Sequence, residues 1–182
     1  MIRVVARRRN PAKVRPLMLW HATNRVFSRF DPDRSGLGTH FGTYRAAMGR
    51  LRTASKHGLR AKESDPWRAT KYRVRIERPL RTVDIGGWDD EPNIEHVLIA
   101  AGVMTPLDLH VTRSITGADF WRWVRARIEA AGYDSIVYRN KVEDVGKDSY
   151  IVWRGDQIEY APQPITNPSR RRARPMKRRA RA

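Results

Sequence analysis

At 182 residues the chain is long enough to bury one core and too short for two full domains. It has 37 Lys and Arg against 19 Asp and Glu, a net charge of +18, and no cysteine, which excludes a disulfide framework and thiolate chemistry and fits a reducing compartment. No apolar run reaches membrane-spanning length and the start MIRVVARRR lacks an apolar leader core, so the expectation is a soluble, cytoplasmic protein that does not engage a membrane.

The charge sits mainly at the two ends. Residues 1–16 carry six basic residues and no acid, and residues 161–182 carry eight and no acid; with these 14 subtracted from +18, residues 17–160 keep about +4. The expected organisation is a basic arm over 1–16, one domain over 17–162 and a disordered basic tail over 163–182. Such arms contact nucleic acid through phosphate charge, or serve only to keep the chain soluble.

Within the domain, LMLWHA (17–22) reads as a first strand, short, apolar and followed by turn formers. FDPDRSGLGT reads as a loop, and TYRAAMGRLRTASKHG as a helix closed by Gly58. KYRVRIERPLRTVDI alternates at Tyr72, Val74 and Ile76, a strand with one solvated face. Pro92 opens a helix over NIEHVLIAAG that Gly102 ends. GADFWRWVRARIEAAG gathers Phe120, Val124, Ile128 and Ala131 on one helical face with Trp121 beside them and Arg122, Arg125 and Glu129 elsewhere. DSIVYRN and DSYIVWR read as strands joined by KVEDVGK, and QIEYA as an edge strand, so the fold class is α+β.

Two stretches carry candidate chemistry. In GLGTHFGT the glycines at 36, 38 and 42 permit close backbone approach and positive φ beside His40 and Phe41, although an ordinary turn before a helix reads the same way. In NKVEDVGKDSY the carboxylates Glu143, Asp144 and Asp148 gather between apolar strands, either solvated or held rigidly for use. His40, His57, His96 and His110 show no metal-ligand spacing, and no metal is expected.

In chain order LWHAT, GLGTHFGT and GYDSIVYRNKVEDVGKDSYIVW resemble the ADP-ribosyltransferase fold. The likeness is to the diphtheria-toxin and PARP-like branch, and within it to the short domains of phage and mobile-element polyvalent proteins. The resemblance implies a split antiparallel β-sheet core with a few flanking helices and NAD as co-substrate. It implies that His21 grips a ribose hydroxyl, that Ala22 offers its backbone to the nicotinamide amide and that Thr23 supports that turn. Gly38 and His40 take the places of a Gly-x-Gly-x-Tyr-Phe motif, with His40 where the family has a stacking tyrosine, Phe41 in the core and Tyr44 one turn on to supply aromatic surface. The family's catalytic glutamate falls at Ser149, which cannot do that work. Glu143 is therefore the expected catalytic carboxylate, Asp148 the fallback and Asn140 a positioning group.

The resemblance thus implies transfer of ADP-ribose from NAD to a macromolecule with release of nicotinamide, in phage–bacterium conflict, in the host cytoplasm if the chain is phage-encoded. Nucleic acid is the favoured acceptor, bound by Arg73, Arg75, Arg122 and Arg125 and by the basic tails; a protein acceptor or an antitoxin is the other partner it allows. Two alternatives stay open: an inactive fold serving as a nucleic-acid-binding or virion-associated module, and an NAD-dependent RNA 2′-phosphotransferase, which shares the fold.

Overall fold

The structure, a computed structural model of the chain, describes residues 15–23, 30–56 and 68–161. Nearly all of the basic arm, the helix-closing Gly58 and the tail 163–182 lie outside the described residues. In chain order the elements are β1 (Leu17–Thr23), β2 (Thr39–Phe41), α1 (Tyr44–Lys56), β3 (Arg68–Val74), β4 (Pro79–Thr82), α2 (Glu91–Ala100), α3 (Leu109–Thr112), α4 (Gly117–Ala130), β5 (Ser135–Arg139), β6 (Asp148–Val152) and β7 (Ile158–Tyr160). The fold is α+β, with strands and helices forming two sheets and their cover.

One sheet has the order β1–β3–β7 and is antiparallel throughout; the other has the order β2–β6–β5–β4. In the second sheet β4 runs parallel to β5, a departure from the expected all-antiparallel core. The chain between them is spent on α2, α3 and α4, and parallel neighbours need such a crossover. The two sheets touch where the backbones of Trp20 and Gly42 exchange hydrogen bonds of 2.8 and 3.0 Å, N–H to carbonyl in both directions.

The stretch expected to form one strand after Lys71 divides into β3 and β4, in different sheets. The cause is Asp134: its buried carboxylate accepts the backbone N–H of Glu77 at 2.8 Å and of Arg78 at 3.1 Å, which turns the chain away from β3 before Pro79. The Gly-rich segment is likewise not all loop, because Thr39–Phe41 joins β6 as β2. Of its glycines Gly36 uses positive φ (+58°), and Gly38 is needed for close approach: a Cβ there would lie 2.8 Å from the Val152 carbonyl oxygen.

The larger core lies between the second sheet and the helices α2 and α4, with Ile94, Leu98, Phe120, Val124, Ile128, Ile136 and Ile151 fully enclosed. Each such side chain contributes on the order of 1.5–3 kcal/mol by leaving water. The expected face of α4 is present except for Ala131, which lies past the helix end and is exposed. Arg125 is the other correction: it is buried, donating to the carbonyls of Pro32 (3.2 Å) and Gly36 (2.7 Å) and to the Asp33 carboxylate, so it fixes the chain entering β2 and offers nothing to a polyanion. A smaller core of Phe41, Tyr72, Val74 and Val152 fills the space between the sheets near their junction.

Among the described residues no helix is long and apolar enough to cross a membrane. The tight fit at Gly38 gives a stability test. Gly38→Ala is expected to lower unfolding free energy by about 1–3 kcal/mol, the usual range for overpacking, read from the midpoint of urea unfolding.

Candidate active site

Beside the junction of the two sheets lies an open cleft lined from both, about 290 Å³ with the open solvent at its mouth included. Strand alternation decides what faces it: Trp20 and Ala22 from β1, His40 from β2, Tyr138 from β5 and Ser149 from β6. Helix α1 closes one side with Ala46, Ala47 and Arg50, and the loop after β5 brings Asn140 and Glu143.

Glu143 is held by a small network. The Asn140 side chain is 2% exposed; its Oδ1 accepts the backbone N–H groups of Val142 (2.9 Å), Glu143 (2.8 Å) and Asp144 (3.1 Å). Its Nδ2 donates to the Glu143 carboxylate at 2.8 Å and to Ser149 Oγ at 3.2 Å. The loop closes on the Asn140 backbone, whose N–H reaches Lys147 O at 2.8 Å and whose carbonyl accepts from Gly146 N–H at 2.9 Å, with Gly146 at φ +80°. Helix α1 is fastened to the same loop: Thr43 Oγ1 caps the helix by accepting from Ala46 N–H at 3.1 Å and donates to the Asp144 carboxylate. Gly49 makes this approach possible, since a Cβ on it would lie 2.8 Å from Glu143 Cβ.

Opposite the carboxylate stand two neutral polar groups. His40 Nδ1 lies 3.3 Å from Tyr138 Oη. Burial holds the His40 pKa well below 6.5, and the positive charge of Arg50 and the neighbouring His21 add to that. Burial pushes Tyr138 up to about 12, against a smaller downward pull from Arg50. The phenol keeps its proton at neutral pH and the imidazole is uncharged. Arg50 is exposed at the cleft mouth.

His21 is not brought to this cleft. It alternates with Trp20 and Ala22, so its ring lies on the other face of β1, against Phe30, Phe41 and Tyr72 at centroid distances of 5.7, 5.5 and 6.5 Å. Its Nδ1 donates to the His40 carbonyl at 2.9 Å, and a carbonyl can only accept, so Nδ1 carries the hydrogen. Burial lowers its pKa, with the His40 bond opposing and Arg50 adding to the fall. His21 thus fastens β1 to β2 behind His40, and the ribose contact implied by the resemblance has no support in this placement.

The other expected residues divide similarly. Ala22, His40, Asn140 and Glu143 meet at the cleft; Phe41 borders it, but its side chain is buried in the smaller core as expected, and Tyr44 stands at the rim, 53% exposed, its ring edge-on to Trp20 at 4.9 Å. Thr23 shares the His21 face of β1, and Gly38 is pressed behind β2 against Val152. Asp148 cannot replace Glu143: it is one residue from Ser149, on the opposite face of β6, bonded to Arg81 at 2.9 and 3.2 Å, and that bond lowers its pKa. Arg122 is exposed and paired with Asp119, while Arg73 and Arg75 are exposed. Trp20, Arg50 and Tyr138 enter the site without having been expected; the alternation Trp20–Ala22 and the spacing of Tyr138 from Asn140 signal two of them, and nothing in a solvated helix signals Arg50. No group of three His, Cys, Asp or Glu able to hold a metal occurs among the described residues.

The buried histidines give a pH prediction. A folded pKa below the unfolded 6.5 means that the unfolded chain takes up protons first, so this stability is complete above pH 6.5 and declines on acidification below it. Between pH 7 and 5 the urea midpoint is expected to fall, and His40→Gln to fall less steeply.

Compared with known protein families, with curated proteins and with solved structures, the chain has no match.

Proposed function

We propose that the chain is an NAD-dependent ADP-ribosyltransferase whose reaction takes place in this cleft. The observation that supports the reading most is the meeting of Ala22, His40 and Glu143, one from each of the three stretches that resemble the family, around a carboxylate held by a buried amide.

The residues have matching tasks. Trp20 offers aromatic surface to the nicotinamide, with the Ala22 backbone on the same strand face, and the Tyr138 hydroxyl, paired with His40, reaches the cleft from the core. The bond between ribose C1′ and the nicotinamide nitrogen breaks with its electron pair leaving on nicotinamide. Positive charge gathers at C1′, and the fixed Glu143 carboxylate stabilises it. The acceptor's lone pair then bonds C1′ while its proton passes to Glu143. Uncharged His40 and Tyr138 hydrogen-bond without adding positive charge beside that centre.

Glu143→Gln keeps the shape and the Asn140 bond but removes the charge. It is expected to cut the rate of NAD consumption by about 100- to 1,000-fold, the usual effect of losing one preorganised group. Gly49→Ala, which pushes against Glu143, is expected to lower kcat more than it raises KM for NAD. Both are read with labelled NAD. A wild-type chain that neither consumes NAD nor transfers label, or a Glu143→Gln variant as fast as wild type, overturns the proposal.

A further inference from the structure

We infer that the stretch of the first sheet from Trp20 and Lys71 out to the exposed Met18 and Arg73, where its cleft-side face emerges from under the start of α1, binds a single strand of nucleic acid. Resting on the function proposed above, we further infer that this strand is the acceptor. The register of β1 and β3 pairs Ala22 with Ala69, Trp20 with Lys71 and Met18 with Arg73, and paired residues share a face. This is the face that Ala22 and Trp20 present to the cleft; the other carries Leu19, Tyr72 and Val74 into the smaller core. From Trp20 to Met18 the strand advances on the order of 7 Å, which makes a short track leading out past Tyr44.

The track alternates aromatic and cationic groups. Trp20 stands at the cleft, Tyr44 meets it edge-on with half its surface exposed, and Lys71 Nζ lies 5.8 Å from the Trp20 ring centroid. Met18 is 46% exposed, Arg73 beyond it is exposed, and Arg50 adds a cation at the mouth. Glu159 of β7, opposite Arg73, is an acidic neighbour at the far edge. Aromatic faces next to cations hold bases by stacking and phosphates by charge, without regard to sequence. A duplex keeps its base faces covered, and an acidic peptide has no use for the exposed Tyr44 ring; both features point to a single strand. The surface differs from the one expected from the sequence, because Arg125 is internal and Arg122 is paired with Asp119 on α4.

The test measures fluorescence anisotropy of a labelled oligouridylate and an oligothymidylate of about 12 nucleotides, within the usual site sizes, with the full chain over a range of salt. Variants are Lys71→Ala with Arg73→Ala, Tyr44→Ala, and Arg122→Ala as a control for general charge. The double variant is expected to bind about tenfold more weakly, with the slope of log affinity against log salt smaller by about 1.4, two contacts at roughly 0.7 each for single strands. Tyr44→Ala is expected to weaken binding about tenfold with the salt slope unchanged, and Arg122→Ala to bind as wild type does. Affinity unchanged in both track variants, or lost equally in Arg122→Ala, overturns the surface. NAD turnover and label transfer are followed in parallel. Binding that responds to the track variants in a chain without turnover refutes the transferase function and leaves the surface standing. Turnover that labels protein and never the oligonucleotide refutes the acceptor assignment alone.

Discussion

The Asn140 amide, enclosed at the end of β5, joins three pieces of backbone and two side chains that no strand ladder brings together. Its orientation is forced, since three N–H donors on one side require the oxygen there and leave the nitrogen for Glu143 and Ser149. A buried amide left without partners costs about 1–3 kcal/mol, so the loop, the carboxylate and the end of β6 hold one another in place. The loop that carries Glu143 is consequently rigid where it matters, although Val142 and Val145 beside it are largely exposed. Thr43 extends the same arrangement to α1, and Gly49 lets the helix lie against the loop without displacing the carboxylate.

In the cleft Glu143 is bonded to a neutral amide and Arg50 is exposed at the mouth, while His40 and Tyr138 are uncharged at neutral pH for opposite reasons, the imidazole because burial disfavours its cation and the phenol because burial disfavours its anion. Glu143 thus has an amide as its partner, whereas Asp148, on the face of β6 opposite Ser149, is paired with Arg81 at 2.9 Å.

Much of the frame was legible in the sequence because it depends on local rules. Pro92 and Gly102 bracket α2, the apolar spacing of α4 gives its buried face, and short apolar runs bounded by turn formers give β1, β5 and β6, with QIEYA as the edge strand β7. The features that escaped depend on partners far along the chain. Asp134 breaks the strand after Val74 from 57 residues away, and Arg125 is drawn inside by carbonyls 89 and 93 residues away, where helical spacing alone makes it a solvated arginine. β2 is three residues between glycines and exists because β6 is there to pair with it. At the site, Glu143 and His40 were legible through motif order, while the facing of His21 follows from strand alternation with Trp20 and Ala22, a local rule that the resemblance overrode.

The reciprocal Trp20–Gly42 pair that joins the sheets is the vertex of a wedge. Anything seated in a wedge is gauged by how far it descends, and the depth at each width is set by the angle at the vertex. Space is short at that vertex: a Cβ on Gly42 would lie 3.1 Å from both Ala46 Cβ and Ser149 Oγ, so a larger residue there must push α1 or β6 aside and widen the wedge along its whole length.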